Sequence, residues 1–380
     1  MWKKIIIVFI TLLTKQGLFG QLDGKILLGQ EFYIKSEVLD ENRSYIVGLP
    51  ESYGETDNHY PVIYMTDGDY RFTYTSGIVE FLSKGSEIPE SIVVGITNTN
   101  RTRDLTPTYS DYDTASGGGM KFLKFIVEEL IPEIDNSYRT NGFRILAGHS
   151  YGGLFSGYAY INNSPFDAFI ASDPAFAWDN QWLASFTTPE NVAMVKNKKF
   201  YLTNADNYER NPDVFEFMRP AVEYYYALLK NMGSNQENIR LDYLPEENHG
   251  TCAYMSWYLG IRFVYNGFTM KNVEELTIKD IVDHYSQLTD KTGKTFLPPE
   301  QLVRNIAQKR KEKGVQEEVL ELMHLNVKNY PSKRTYKALG DAYVDIGQEK
   351  RASKFYKKAL EFDSKGTGVN KGNKLNQINN

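Results

Sequence analysis

Hydrophobic and polar residues alternate twice near the start of the chain, over residues 32–38 and 43–49, which predicts two strands with one wet face. The pattern then changes. Residues 61–65 (PVIYM) and 91–97 (SIVVGIT) are unbroken apolar runs, predicting strands buried on both faces. Residues 143–147, 166–172, 199–203 and 239–244 are read as further strands. Between the strands, apolar residues recur every three or four positions over 72–82, 122–134, 151–161, 214–232 and 253–268, predicting helices. In the second of these the stripe is Phe122, Phe125, Ile126, Leu130 and Ile131. Strands alternating with helices predict an α/β class: a mostly parallel sheet covered by helices on both faces. The opening strands, joined by short connections, fit an antiparallel start.

Past residue 270 the strands stop. Residues 271–297 read as a helical linker with a helix over 278–288, and Pro298-Pro299 ends it. Leu339, Gly340, Tyr343, Gly347, Ala352, Tyr356, Ala359 and Leu360 fit the tetratricopeptide pattern, in which small residues let paired helices approach closely. A shift of 33 residues carries Gly347 onto Gly314 and Leu339 onto Ile306. Residues 298–364 are therefore expected to form a small helical-repeat domain after a main domain over 21–270. Residues 365–380, rich in Gly, Asn and Lys, are expected to be disordered.

The first twenty residues have the layout of a secretory signal peptide: Lys3-Lys4, an apolar run over 5–13, then Gly20 before a cut at Gln21. The run is shorter than the roughly 20 residues needed to span a bilayer. An exported protein, periplasmic or secreted, is expected, with no transmembrane segment. The single cysteine, Cys252, excludes an internal disulfide and reads as a small buried residue. A net charge of −5 without a basic, aromatic-studded stripe argues against nucleic-acid binding. His and Cys lack metal-ligand spacing, and Gly117-Gly118-Gly119 lacks the Lys-Ser/Thr of a phosphate loop, so no metal or cofactor is expected.

The chemistry centres on Gly148-His149-Ser150-Tyr151-Gly152, a G-x-S-x-G between a predicted strand and a predicted helix. A turn this sharp leaves no room for side chains two residues either side of the serine, and it lifts the hydroxyl clear of the sheet. Serine needs a base. Of the histidines after Ser150, His284 lies in a later helix and His324 in the repeats, whereas His249 follows the strand at 239–244. His149 is read as structural. The acid is sought at the ends of the intervening strands: Asp206 is first choice, Glu209 the alternative and Asp173 third. Oxyanion donors are expected from the Tyr151 N–H and from Gly68 or Asp69 after residues 61–65. Trp178 and Trp182, in a segment read as a loop, are candidates for an aryl pocket.

These residues resemble the putative-esterase family of α/β-hydrolases. The similar stretches are Pro61-Val62-Ile63-Tyr64-Met65-Thr66-Asp67-Gly68, Asn100-Arg101-Thr102-Arg103-Asp104-Leu105-Thr106-Pro107, Gly148-His149-Ser150-Tyr151-Gly152-Gly153 and Asn248-His249-Gly250. The second is most similar to the siderophore-esterase branch. The resemblance implies an α/β-hydrolase fold, Ser150 as nucleophile, His249 as base, and a small-molecule or glycan-linked ester as substrate. Siderophore lactones and feruloyl or acetyl esters are the two enzyme readings. Thr203-Asn204-Ala205-Asp206 is similar to the acid turn of feruloyl-type relatives. Thr66 stands where the family usually has Leu. A reading of another class is a non-catalytic interaction protein that holds a protein partner through its repeats.

Overall fold

The computed structural model describes residues 27–207, 216–273 and 275–364. The expected signal peptide and the expected disordered tail lie outside the described residues. Eight strands form one sheet: β1 (Gln30–Ser36), β2 (Glu41–Gly48), β3 (Tyr60–Met65), β4 (Ile92–Ile96), β5 (Thr140–His149), β6 (Ala168–Ser172), β7 (Lys199–Ala205) and β8 (Ile239–Leu244). Their order is β1-β2-β4-β3-β5-β6-β7-β8. The pairs β1–β2 and β2–β4 are antiparallel and all others are parallel.

The apolar runs explain this arrangement. Every residue of β3, β4 and β6 is buried, as strands covered on both faces require. Side chains alternate between the faces. Val62 and Tyr64 enter one core with Phe155, Phe169 and Phe200, beneath helices Tyr151–Ile161 and Gly119–Phe125. Ile63 and Met65 enter the other with Phe72, Ile170 and Trp257, beneath helices Gly68–Lys84 and Cys252–Val264. The chain has the α/β-hydrolase fold with a helical C-terminal region.

Some elements differ from the sequence reading. The stripe over 122–134 is broken into helix Gly119–Phe125, a π turn at Ile126–Leu130 and helix Ile131–Ser137. Short helices Arg101–Leu105, Trp178–Phe186 and Pro189–Val195 stand where the pattern predicts none. The first two are polar or irregular, and Asp179, Asn180 and Gln181 are left-handed, so no amphipathic stripe announces them.

The C-terminal helices Glu300–Glu312, Gln316–Asn329, Lys333–Asp345 and Glu349–Ser364 form two successive pairs. Gly314 and Gly347, 33 residues apart in the sequence, both have positive φ, at 77° and 73°, in the turns within each pair. Gly340 lies so close to Tyr356 that a Cβ there would be 2.6 Å from the ring. These helical pairs do not stack only on each other. One apolar cluster runs from Ile145 and Ile170 in the sheet through Tyr265, Tyr285 and Phe296 to Leu322 and Leu339.

Candidate active site

Crowding builds the turn at Ser150. β5 ends at His149 and helix Tyr151–Ile161 begins two residues on, so Ser150 alone makes the bend, at φ 59° and ψ −117°. Such a backbone costs on the order of 1–3 kcal/mol and persists only where its surroundings hold it. Here the Ser150 N–H donates to Ser172 O at 3.0 Å, and the Ala175 N–H donates to Ser150 O at 3.0 Å. The turn is thereby pegged to the loop after β6. A Cβ on Gly148 would lie 2.0 Å from Gly152 O, and one on Gly152 2.3 Å from Thr66 Oγ1. Both glycines are therefore required by space, and Thr66 fills the room beside the second.

His149 is turned away from the reacting edge and buried. Its Nδ1 is 2.8 Å from Arg71 Nη2, and its Nε2 is 2.6 Å from His249 O. A carbonyl only accepts and a guanidinium only donates, so the ring is the neutral Nε2–H tautomer. Burial, then the Arg71 charge, hold its pKa well below the ordinary histidine value.

The imidazole of His249 meets a carboxylate, and it is Asp173. Nδ1 lies 2.7 Å from Asp173 Oδ2, with the Asp173 side chain almost wholly buried. The ring sits 4.4 Å, centroid to centroid, from that of His149, which places it beside the residue preceding Ser150. Asp173 is held from three further directions. Ala205 N–H donates to its Oδ1 at 3.0 Å, Asn207 Nδ2 to its Oδ2 at 2.7 Å, and its own N–H donates to Thr203 O at 3.1 Å.

Asp206, the acid first sought from the sequence, is not the group on the imidazole. Its N–H donates to Glu247 O at 2.8 Å, and its carboxylate helps to raise the pKa of the Tyr243 hydroxyl, though burial is the larger cause. The register explains the difference. Ser172 pairs with Thr203, so Asp173 stands level with Asn204, and β7 runs on to Ala205. Asp206 therefore overshoots the level of the acid. Glu209 lies outside the described residues. Asp173 carries the same sequence signal that favoured Asp206, a carboxylate just past a strand. What the sequence did not carry is the relative strand length.

The expected oxyanion donors lie on two facing helix starts. Tyr70 and Arg71 N–H both donate to Asp67 O, so the N–H groups of Gly68 and Asp69 precede the helical ladder. Tyr151 is the first residue of its own helix. Gly68 packs on β4 so tightly that a Cβ would be 2.5 Å from Gly95 C. Asp67, at φ 58° and buried, receives Arg101 Nε at 2.6 Å and Nη2 at 3.0 Å, and Asn98 Nδ2 at 2.9 Å. Arg101 Nη2 also reaches His149 O at 3.2 Å. The segment from Asn100 thus ties the turn after β3 to the end of β5. Two residues close to Arg101 anchor it: Arg103 Nε meets Asp104 Oδ1 at 2.7 Å, and Asp104 Oδ2 meets buried Arg43 at 2.6 Å.

Trp178 and Trp182 separate. Trp178 packs edge-on against Tyr151 at 5.2 Å and donates its Nε1–H to Thr108 Oγ1 at 3.2 Å. Trp182 stacks on Phe186 at 4.6 Å, within a packing group that includes Tyr158. Cys252 is fully buried beneath His249, and burial pushes its thiol up to about 12. A cavity of about 820 Å³ lies at the other end of the parallel strands, where β3, β4 and β5 begin, lined by Tyr60, Glu90, Thr140, Phe296 and Arg334 among others, and none of the candidate residues borders it. Among the described residues no three His, Cys, Asp or Glu side chains cluster as metal ligands, and no helix is long and apolar enough to cross a membrane.

Residues 36–185 match the family model described as putative esterase. YbbA of Bacillus subtilis (strain 168), an uncharacterized protein, is 31% identical over 128 residues, 32% of this chain and 51% of the relative. Ferri-bacillibactin esterase BesA of the same organism is 27% identical over 171 residues, 39% of this chain and 59% of the relative. The chain thus spans little more than half the length of these two relatives. The crystal structure of an IroE-like serine hydrolase from Shewanella oneidensis superposes with a TM-score of 0.68 at 29% identity, over 78% of this chain and 98% of that one.

Proposed function

We propose that this chain, whose residues 36–185 match the family model described as putative esterase, is an exported serine esterase with Ser150 as nucleophile, His249 as base and Asp173 as acid. The observation that carries the proposal is the 2.7 Å contact of His249 Nδ1 with buried Asp173 beside the strained Ser150 turn. Nδ1–H donates to the carboxylate, so Nε2 keeps its lone pair to take a proton. Ser150 Oγ attacks the ester carbonyl and passes its proton to Nε2. The imidazolium, stabilised by Asp173, returns that proton to the departing alcohol. Water then repeats the sequence on the acyl-enzyme and releases the acid. Tyr151 N–H, with Gly68 or Asp69 N–H, serves the oxyanion.

The substrate proposed is a carboxylic ester, with the lactone of a siderophore preferred over a polysaccharide-linked feruloyl or acetyl ester. BesA, named a ferri-bacillibactin esterase, and a relative named siderophore enterobactin esterase, 34% identical over 96 residues, support this choice. Trp178, edge-on to Tyr151, supplies an aromatic wall beside the nucleophile. Export is inferred from residues 1–20.

The test is labelling with a fluorophosphonate, followed by hydrolysis of a panel of siderophore lactones and feruloyl and acetyl esters. Stoichiometric labelling of the wild type and none of Ser150→Ala is the expected result. Unlabelled wild-type protein would leave the chain a repeat-bearing interaction protein on a silent hydrolase scaffold.

A further inference from the structure

Asn207 lies at the end of the described part of the loop after β7, almost fully buried. Its side chain spans the acid and the base. Nδ2 lies 2.7 Å from Asp173 Oδ2, the oxygen that also receives His249 Nδ1. Oδ1 lies 2.5 Å from the backbone nitrogen of His249. The orientation of the amide follows from chemistry: a carboxylate needs a donor, and a peptide N–H needs an acceptor. Only an amide offers both from one side chain at these two places.

Such a link has a use here. Asp173 and His249 come from loops after β6 and β8, separated by the whole of β7. Asp173 also has a left-handed backbone, φ 39°, unusual for a non-glycine residue. The Ala205 N–H holds Asp173 Oδ1 and the Asp206 N–H holds Glu247 O, so each loop is tied to the end of β7 separately. Asn207, on the loop between them, supplies a contact to each.

We propose that Asn207 is a positioning residue for the hydrolytic reaction, a two-ended clamp that sets the distance and angle between the Asp173 carboxylate and the His249 ring. Among the described residues its side chain bonds Asp173 and His249, and it acts through these two neighbours. The inference rests on the triad reading above.

The test compares Asn207→Ala and Asn207→Asp with the wild type and with Ser150→Ala, using p-nitrophenyl acetate across pH. Removing the clamp leaves binding intact, so Asn207→Ala should lose kcat by ~10- to 100-fold, the scale of a misplacement of about 1 Å, with KM within twofold. Asn207→Asp has the same shape and keeps an acceptor for the His249 N–H, which guards against simple misfolding of the alanine variant. The introduced carboxyl would lie against Asp173, and two such groups at this distance share one proton. The titratable and charged groups around the pair, among the described residues, include His249, His149, Cys252, Arg71, Asp206 and Glu247. While the shared proton is held, the O–H of the introduced carboxyl would replace the amide donor and activity should return toward the wild type. As pH rises and that proton is lost, kcat should fall along a new alkaline limb absent from wild type and Asn207→Ala.

Wild-type kcat and pH profile in both Asn207 variants, with Ser150→Ala inactive, overturns the clamp and leaves the esterase reading standing. Undiminished activity in Ser150→Ala overturns the esterase reading itself.

Discussion

Asp173 and His249 meet across the full width of β7, the carboxylate 2.7 Å from Nδ1, although the strands that deliver them do not pair with each other. The carboxylate on the imidazole comes one strand earlier than Asp206, the first choice from the sequence. Asp173→Asn should therefore lower kcat by ~10⁴-fold, because an amide turns a hydrogen toward Nδ1 and disfavours the tautomer that leaves Nε2 free to accept. Asp206→Asn should stay within about threefold of wild type on the same activated ester. Steady-state kinetics of the pair check this, and the reverse ranking would return Asp206 to the triad.

The two glycines that flank Ser150 are required for different reasons, and the variants should separate them. A methyl at Gly148 meets the Gly152 carbonyl at 2.0 Å, which is backbone and cannot step aside. A methyl at Gly152 meets the Thr66 hydroxyl at 2.3 Å, the end of a side chain. Replacing Thr66 by alanine should therefore restore most of the melting temperature and activity lost in Gly152→Ala. It should restore neither in Gly148→Ala. Thermal melts and activity assays of the two glycine variants, each with and without Thr66→Ala, decide the matter.

The sheet and the sharp turn at Ser150 were legible in the sequence, and the contact of His249 with Asp173 was not. Val62-Ile63-Tyr64-Met65 and Ile92-Val93-Val94 announce buried strands by composition alone, and Gly148 and Gly152 announce the elbow by spacing. These signals are local. The acid depends on where β6 and β7 end relative to one another, set by the Ser172–Thr203 register, and no local pattern contains a register. Asn207 was missed for the same reason: its partners are 34 and 42 residues away. The stacking of Trp182 on Phe186 was not legible either, because an aromatic in an irregular helix carries no pattern that names its partner.

His149 should make the fold sensitive to acid. Its imidazole is buried and neutral, with its pKa held well below the value of about 6.5 that it takes when unfolded. Below that value the unfolded chain binds a proton that the folded chain does not, so stability must fall as pH falls through about 6 toward 5. His149→Gln can accept from Arg71 and donate to the His249 carbonyl without titrating. The drop in melting temperature between pH 7.5 and pH 5 should be smaller in His149→Gln than in the wild type. An equal drop in both would show that other groups govern the acid transition.

The C-terminal helices carry none of the residues assigned to chemistry, yet they share an apolar cluster with the sheet. Phe143, at the start of β5, packs on Phe296 at 5.5 Å, and Phe268 packs on Tyr285 at 5.3 Å. Tyr265 and Phe268 are buried beneath Ile281, Tyr285 and Phe296 in the same apolar cluster that lines the sheet. Burying a side chain of this kind stabilises by about 1.5–3 kcal/mol. Stripping the cover from two of them therefore removes roughly 3–6 kcal/mol, against a total of about 5–15 kcal/mol for a typical domain. The chemistry is remote from this damage: Ser150 stands seven residues further along from Phe143, roughly 23 Å of extended strand. A chain ending at Lys271 should accordingly melt at least 10 °C below the full-length protein. The fraction that stays folded should keep kcat on p-nitrophenyl acetate within about threefold. Full-length stability in the shortened chain would mean that the shared cluster contributes nothing, and a hundredfold loss of kcat in well-folded protein would mean that the helices complete the active site.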